Sequence, residues 1–420
     1  MDKPLLSKQQ IHVIGAVTFG NILQWFEVYL FAYLSPIIAR NFFNFRSDSA
    51  NLMFSFLIFG VGFITRPVGG VIFGRIGDVF GRKKAFFWSI ILLTLPTFLM
   101  GLLPTYKTWG VWAPICLCLL RVAQSIPSGG EIPGVICYLF ENSEQNNKRY
   151  ITSWSCVGNQ IGAMVGLLEV LIMKNFLSSE SLYSWGWRVS FLSGGLIGLF
   201  GIYLRHTLYE TPIFQHLKQT HQIEEVKIRK IISKYKKKIW IGTAFGAIDA
   251  STFYLIATYI PNFFGSLLNL SNNQNILVSL IILAITTIFL PFFGRLGDRL
   301  SNKWMCIGSA LLAITLLYPL SIAINNKDIV WLSIVGGLYL IPVICITALI
   351  AYLLGNLFPP QVRFTGVGVA VNLADGIIGG FTPAIALLLL HLTGSQTSFC
   401  WYILICALIS LISYTTSIKE

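Results

Sequence analysis

Long apolar runs separated by short polar breaks dominate this chain. A membrane span needs ~20 mostly apolar residues, and runs of that kind occupy about 12–40, 50–73, 85–104, 110–140, 150–173 and 186–204. Six more follow at about 239–264, 276–294, 304–324, 329–357, 364–391 and 397–417. The pattern predicts an all-α membrane protein with about twelve transmembrane helices, and the runs at 110–140 and 329–357 each leave room for a break. The longest polar stretch, Glu210 to Lys238, divides the chain into a six-helix bundle over 1–208, a linker over 209–238 and a second bundle over 239–420. In the linker, Ile228, Ile231, Ile232 and Tyr235 fall at helical spacing beside Lys227, Lys230, Lys234 and Lys236. That suits an amphipathic helix on the membrane surface, and a solvated tether fits the same residues equally well.

Composition sharpens the picture. The chain is 55% hydrophobic and 11% charged, with a mean hydropathy of +0.71, against roughly 25% charged for an average soluble domain. It cannot cover itself with a polar surface. Met1 to Gln10 is polar, and the first run is too long and lacks the small-residue cleavage site of a secretory signal, so it reads as a span. The net charge of +13 would in isolation suggest nucleic acid. The lysines and arginines, however, gather in alternate loops at 75–84, 148–149, 205–238 and 295–303, and only Arg40, Arg46, Lys107, Lys174, Arg188 and Lys327 fall opposite. This positive-inside bias places both termini, and Arg205 at the end of the sixth run, in the cytoplasm, in a cytoplasmic (inner) membrane. Nucleic acid is not an expected partner. Cys116, Cys118, Cys137, Cys156, Cys306, Cys345, Cys400 and Cys406 lie inside apolar runs and read as packing residues, so no disulfide, metal or cofactor is expected. There is no P-loop, HExxH or G-x-S-x-G, which removes ATP-driven transport and familiar enzyme chemistry.

The halves echo each other. Phe73-Gly74-Arg75-Ile76-Gly77-Asp78 ends the second run and Phe293-Gly294-Arg295-Leu296-Gly297-Asp298 ends the eighth, at an offset of 294 − 74 = 220 with five of six residues identical. A repeat of six spans is the organisation of a transporter built from two related bundles. The first copy continues as Val79-Phe80-Gly81-Arg82-Lys83-Lys84. So short a loop must reverse the chain at the membrane face, and its glycines permit the turn and close helix approach. Asp78 is placed to accept hydrogen bonds from a helix N-terminus or to pair with an arginine, in contacts that can break and reform. A basic loop serving topology alone is the alternative.

This loop resembles the signature of the major facilitator superfamily, and Gly294 to Lys303 repeats it. Val79 stands where that family has a basic residue, and Ser301 and Asn302 replace glycine and arginine in the second copy, which leaves the first copy as the expected latch. Further stretches resemble the metabolite:proton symporter branch, which includes proline/betaine, shikimate, citrate and 2-oxoglutarate carriers. They are Gly20-Asn21, Trp25-Phe26-Glu27, Arg66-Pro67-x-Gly69, Arg121-x-x-Gln124, Ser128-Gly129-Gly130-Glu131, Trp187-Arg188 and Glu210-Thr211-Pro212-x-Phe214. Phe358-Pro359-Pro360-x-Val362-Arg363-x-Thr365-Gly366 and Asn372 extend the likeness into the second half. The resemblance implies the two-bundle fold and proton-coupled transport. It does not choose the substrate.

Ionisable residues inside spans cost at least ~2.5–3.5 kcal/mol on insertion scales, so they face a wet cavity or a partner. Glu27, Arg66, Arg121, Glu131, Glu169, Asp249 and Asp375 are of this kind. Asn21, Gln24 and Glu27 share one helical face, which also carries Trp25 and Phe31 near its edges. The family pattern has a second acidic residue at Gln24, so Glu27 alone carries any proton there. The stretch Arg121 to Gly134 holds two prolines and three glycines, which predicts a kinked segment exposing its backbone to a central site. Ser125 replaces a glycine of the superfamily pattern. Arg121 can hold an anion and Glu131 can carry a proton, or both can be structural ion pairs, Arg66 being one partner. Asp249, Thr252, Tyr254, Tyr259, Asn372 and Asp375 are candidates for an opposite wall, and Glu169 is expected to reach for the interface.

The expected substrate-binding set is Asn21, Gln24, Trp25, Tyr29, Arg121, Gln124, Tyr254 and Asn372, and the proton-coupling set is Glu27, Glu131, Asp249 and Asp375. The conformational switch is assigned to Arg66, Gly74, Asp78, Gly81, Arg82, Lys83 and Asp298. Together they describe a monomeric carrier that works in a lipid bilayer by alternating access, importing a small zwitterion or organic acid with protons. An exporter of amphipathic compounds on the same fold, or a non-transporting membrane receptor, are the competing classes. Trp25, Phe26, Tyr29, Tyr254 and Tyr259 could cage a quaternary ammonium, and Arg66 with Arg121 could hold a dicarboxylate.

Overall fold

The computed structural model describes residues 6–45, 48–223, 227–255, 272–326 and 328–418. Regular structure among them is helical throughout, and ten helices are long and apolar enough to cross a membrane. In chain order we label α1 Lys8–Phe42, α2 Asp48–Val79, α3 Arg82–Leu102, α4 Trp112–Glu141, α5 Lys148–Phe176, α6 Trp187–His206 and α7 Pro212–Gln219. These are followed by α8 Ile228–Phe245, α9 Ala247–Tyr254, α10 Asn272–Gly297, α11 Asn302–Asn325, α12 Ile329–Leu357, α13 Arg363–Asn372, α14 Gly380–Thr393 and α15 Phe399–Ser417. The end of the seventh apolar run, with Tyr259, lies outside the described residues.

The chain forms two compact units. One comprises 1–142, 158–226 and 360–368, and the other 143–157, 227–359 and 369–420. In the first, glycines set the helix crossings, because apolar side chains gain nothing by leaving lipid and close backbone approach supplies the packing. A Cβ on Gly69 would overlap the Ile126 carbonyl, and one on Gly129 would overlap the Arg66 carbonyl and crowd the Gly70 amide. The α2–α4 contact therefore depends on glycines of both helices. On α5, Gly158, Gly162 and Gly166 recur every four residues against the α1 backbone at Thr18, Ile22 and Phe26. Gly129→Val is accordingly expected to exceed the ~1–3 kcal/mol typical of overpacking and to abolish recovery of monodisperse protein. Gly308→Val, with nothing within 4 Å of the new Cβ, should leave the yield unchanged in the same size-exclusion assay.

The room for breaks in the two long runs is not used. α4 is one helix of 30 residues despite Pro127 and Pro133, and α12 is one helix of 29. Gly129 and Gly130 of α4 lie against α2 and Gly134 against Phe86 of α3, and such neighbouring packing holds a proline-containing helix together. Irregular backbone appears instead as π-helical turns, at Leu182–Gly186 before α6 and at Leu373–Gly379 between α13 and α14. The linker is also ordered in part. Thr211 caps α7, and Phe214 and Leu217 on that helix are buried. The basic stretch opens α8, which runs without interruption into the seventh apolar run, with Ile231 buried and Ile232 exposed.

Candidate functional site

Within the first unit, α1, α2, α3 and α4 enclose a small cavity with about 280 Å³ of empty space including its mouth. It is lined by Gln24, Glu27, Val28, Gly62, Phe63, Arg66, Leu93, Arg121, Gln124, Ser125 and Ser128. Glu27 is 2% exposed. It accepts a hydrogen bond from the Thr97 hydroxyl, and its other oxygen accepts from Gln124 Nε2 at 2.5 Å. Arg121 Nη1 donates to Gln124 Oε1 at 2.5 Å, so one amide relays between cation and carboxylate. Gln24 Nε2 donates to the Ser128 hydroxyl at 2.8 Å, tying α1 to α4. Arg121 lies 4.2 Å from the ring centre of Phe31, and Arg66 lies 4.6 Å from Phe63 and 6.0 Å from Trp25. Arg66 was expected in the switch, yet it lines this cavity.

Of the other sequence candidates on this unit, Asn21 donates to Asn159 at 2.5 Å, and Trp25 and Tyr29 are buried beside one another. None of these three lines the cavity. Glu131 is fully buried and pairs with Arg205, whose Nη1 donates to Glu131 Oε2 at 2.8 Å. The Ser89 hydroxyl donates to the same oxygen at 2.8 Å, and Arg205 also donates to the Phe86 carbonyl at 2.7 Å. The ion-pair partner of Glu131 is thus Arg205, not Arg66. Arg205 is 1% exposed, so it does not serve as a solvated loop charge. Gly20 lies where any Cβ would overlap its guanidinium, which accounts for the glycine of Gly20-Asn21. Glu169 accepts from the Ser193 hydroxyl at 3.1 Å, inside the bundle.

A second polar cluster gathers at the α2–α3 turn. Asp78 accepts from the backbone amides of Phe364 at 3.1 Å and Thr365 at 2.9 Å, capping α13, where an anion meets the positive end of the helix. Gly74 and Gly77 make this possible, since a Cβ on either would strike Thr365 or Phe364. Arg82 lies 3.5 Å from Asp78 and 3.2 Å from Glu141, and Glu141 also accepts from Arg363 at 2.8 Å and from the Thr211 hydroxyl at 2.6 Å. Arg82 further donates to the carbonyls of Gly77 and Pro360, at 2.8 and 2.5 Å. Gly81 holds φ of +114°, open to glycine at little cost, and Glu210 accepts from the Arg82 and Lys83 amides that follow. Burial pushes the Glu210 carboxyl above the ordinary range, against the opposing pull of the Thr211 and Lys83 amides.

The second unit carries the second copy. Asp298 accepts from the amides of Arg149 and Tyr150 at 2.8 and 3.1 Å and so caps α5 as Asp78 caps α13. Burial raises its carboxyl too. Arg295, 3.9 Å away and a third exposed, is a weaker companion than the buried Arg82 is to Asp78. In this unit Asp249 accepts from the Thr347 hydroxyl, Tyr254 packs against Gly379, Asn372 is buried at the end of α13, and Asp375 occupies the π-turn.

Thr97, Ser128, Glu141, Arg205 and Arg363 are absent from the assigned site residues. Thr97 and Ser128 are ordinary hydroxyl residues whose roles depend on which helix faces which. Glu141 sits at the end of a run and has the look of a loop residue. Arg205 was counted among the loop cations, although it belongs to the last turn of α6, whose face decides whether it points inward.

The chain matches the family model described as "Sugar (and other) transporter" over residues 13–238. It is 32% identical over 403 residues to a citrate-proton symporter of Salmonella typhi, covering 94% of this chain and 91% of that protein. It is 30% identical over 417 residues to a proline/betaine transporter of Escherichia coli (strain K12), covering 96% and 82%. In fold it is similar to the proton:xylose symporter XylE, with a TM-score of 0.77 at 15% identity over 97% of this chain and 94% of that one. With curated relatives matched along nearly its whole length and the repeated glycine-aspartate loop built into both units, the chain belongs to the major facilitator superfamily, in its metabolite:proton symporter branch.

Proposed function

We propose that this protein is a secondary transporter that couples the entry of a small polar solute to protons by alternating access. The observation that carries the reading is Glu27, a buried carboxylate hydrogen-bonded inside a cavity that also holds two arginines. A carboxyl there can lose and gain a proton while its partners change little, and Gln124 transmits that change to Arg121. Glu27 is the proton-coupling residue in this account, and Glu131, matched by Arg205, a positioning one. In this account the chain makes two six-helix bundles in an inner membrane, with both termini cytoplasmic, and acts as a monomer. The relatives' names support a solute of the citrate or proline/betaine kind.

Asp78, Arg82, Glu141 and Arg363 form the latch in this account. Their contacts hold the start of α13 against the α2–α3 turn, and a transport cycle that moves either end must release them. Asp78→Asn is expected to slow turnover about tenfold while changing solute affinity less than about twofold, an interaction made in only part of the cycle. Equal loss in binding and turnover would count against the latch. The transport reading itself is tested in proteoliposomes with an inward pH gradient. Radiolabelled citrate or proline should accumulate, and collapsing the gradient with a protonophore should release it. Equilibration without accumulation would refute coupling.

A further inference from the structure

We propose that the cavity of the first unit is built for a solute with two carboxylates, one on Arg66 and one on Arg121. This rests on the transport reading above and narrows its substrate class. Arg66 is 4% exposed and lines the cavity, and its Nε and Nη1 have no hydrogen-bond partner among the described residues. A buried guanidinium with open donors is costly until an anion completes it. Arg121 also lines the cavity, so both guanidinium groups border one enclosed space. The planar forks of two arginines match two carboxylates in geometry as well as sign.

The charge balance points the same way. Two cations and one carboxylate line the cavity. With Glu27 ionised the site keeps one net positive charge, and with Glu27 protonated it keeps two. A dicarboxylate and a proton arriving together bring it to neutrality, whereas either alone leaves it charged. Each therefore favours binding of the other, which is the coupling a symporter needs.

In this cavity a quaternary ammonium finds no open aromatic face among the described residues. The faces of Trp25 and Phe63 are turned to Arg66 and that of Phe31 to Arg121, so a ligand cation would have to displace a guanidinium from each. Both oxygens of Glu27 already accept, from Thr97 and Gln124, so an ammonium would have to share a carboxylate that those donors hold.

The test is a calorimetric titration of the purified full chain with succinate, citrate, acetate, proline and glycine betaine. Succinate or citrate should bind at least about tenfold more tightly than acetate, with no heat from proline or betaine. Arg66→Gln and Arg66→Lys should each weaken the diacid about tenfold or more, because neither substitute restores the fork, and should change acetate affinity less. Thermal unfolding without ligand reports whether the variants fold. If neither does, selectivity of the wild-type chain decides. Proline or betaine binding in place of succinate and citrate, silence from both of these acids, or an unchanged succinate affinity in a folded Arg66 variant would each overturn the proposal. Proline accumulating with protons would sink this inference and leave the transport reading intact. Diacid binding without accumulation in proteoliposomes would do the reverse.

Discussion

Glu27→Gln is expected to abolish uphill accumulation while leaving the protein folded and able to exchange solute down its gradient. Each pH unit across the membrane supplies ~1.4 kcal/mol per proton, a tenfold concentration ratio, so a gradient of about two units can hold roughly a hundredfold accumulation in the wild-type chain. The amide of glutamine can still meet Thr97 and Gln124 but carries no titrating proton. Accumulation should therefore fall to the equilibrium ratio of one. Exchange of labelled for unlabelled solute, which needs no net proton movement, should persist. The pair of assays separates coupling from folding, since a misfolded variant loses both. Uphill uptake unchanged in Glu27→Gln would remove Glu27 from the proton path.

The second large effect is expected at the pair of Glu131 and Arg205. Both are buried, with no other ionic partner recorded for either among the described residues. Removing one member of such a pair strands a charge and typically costs ~3–5 kcal/mol, whereas removing both is often nearly neutral. Arg205→Met should lower the unfolding temperature in detergent strongly, and adding Glu131→Gln to it should recover most of the loss. The double variant should also accumulate solute under a pH gradient, because Glu131 here positions α3, α4 and α6 and does not carry the proton. A double variant that folds and exchanges solute yet fails to accumulate it would return Glu131 to the proton path.

These two carboxylates also mark how far the sequence could be read. Helix number, repeat and loop motif were legible because they depend on local periodicity and on glycines at fixed offsets, and the capping roles of Asp78 and Asp298 follow from such an offset. The sharing of Arg121 and Glu27 through Gln124 needed only the α1–α4 neighbourhood, and all three were candidates. The partner of Glu131 was not legible. It comes from α6, some seventy residues away, and the positive-inside rule drew Arg205 toward the loop side because that rule weighs charge near a span end without asking which face carries it. For Arg66 the sequence left two places open, the switch beside Pro67 and the loop motif or a carboxylate site shared with Arg121, and it took the fold to bring its guanidinium to the cavity. Gly69 and Gly129 were readable as small residues, but their assignment to one crossing required the fold.

The central claim is that solute and proton move together through a site containing Glu27. The most direct measurement is proton movement itself, recorded with a trapped pH dye in proteoliposomes whose membrane potential is clamped. With no pH gradient imposed, an inward gradient of the solute that binds the purified chain should acidify the lumen, and Glu27→Gln should abolish the acidification while labelled solute still exchanges. Solute entry at the wild-type rate with no change in lumenal pH would contradict the account.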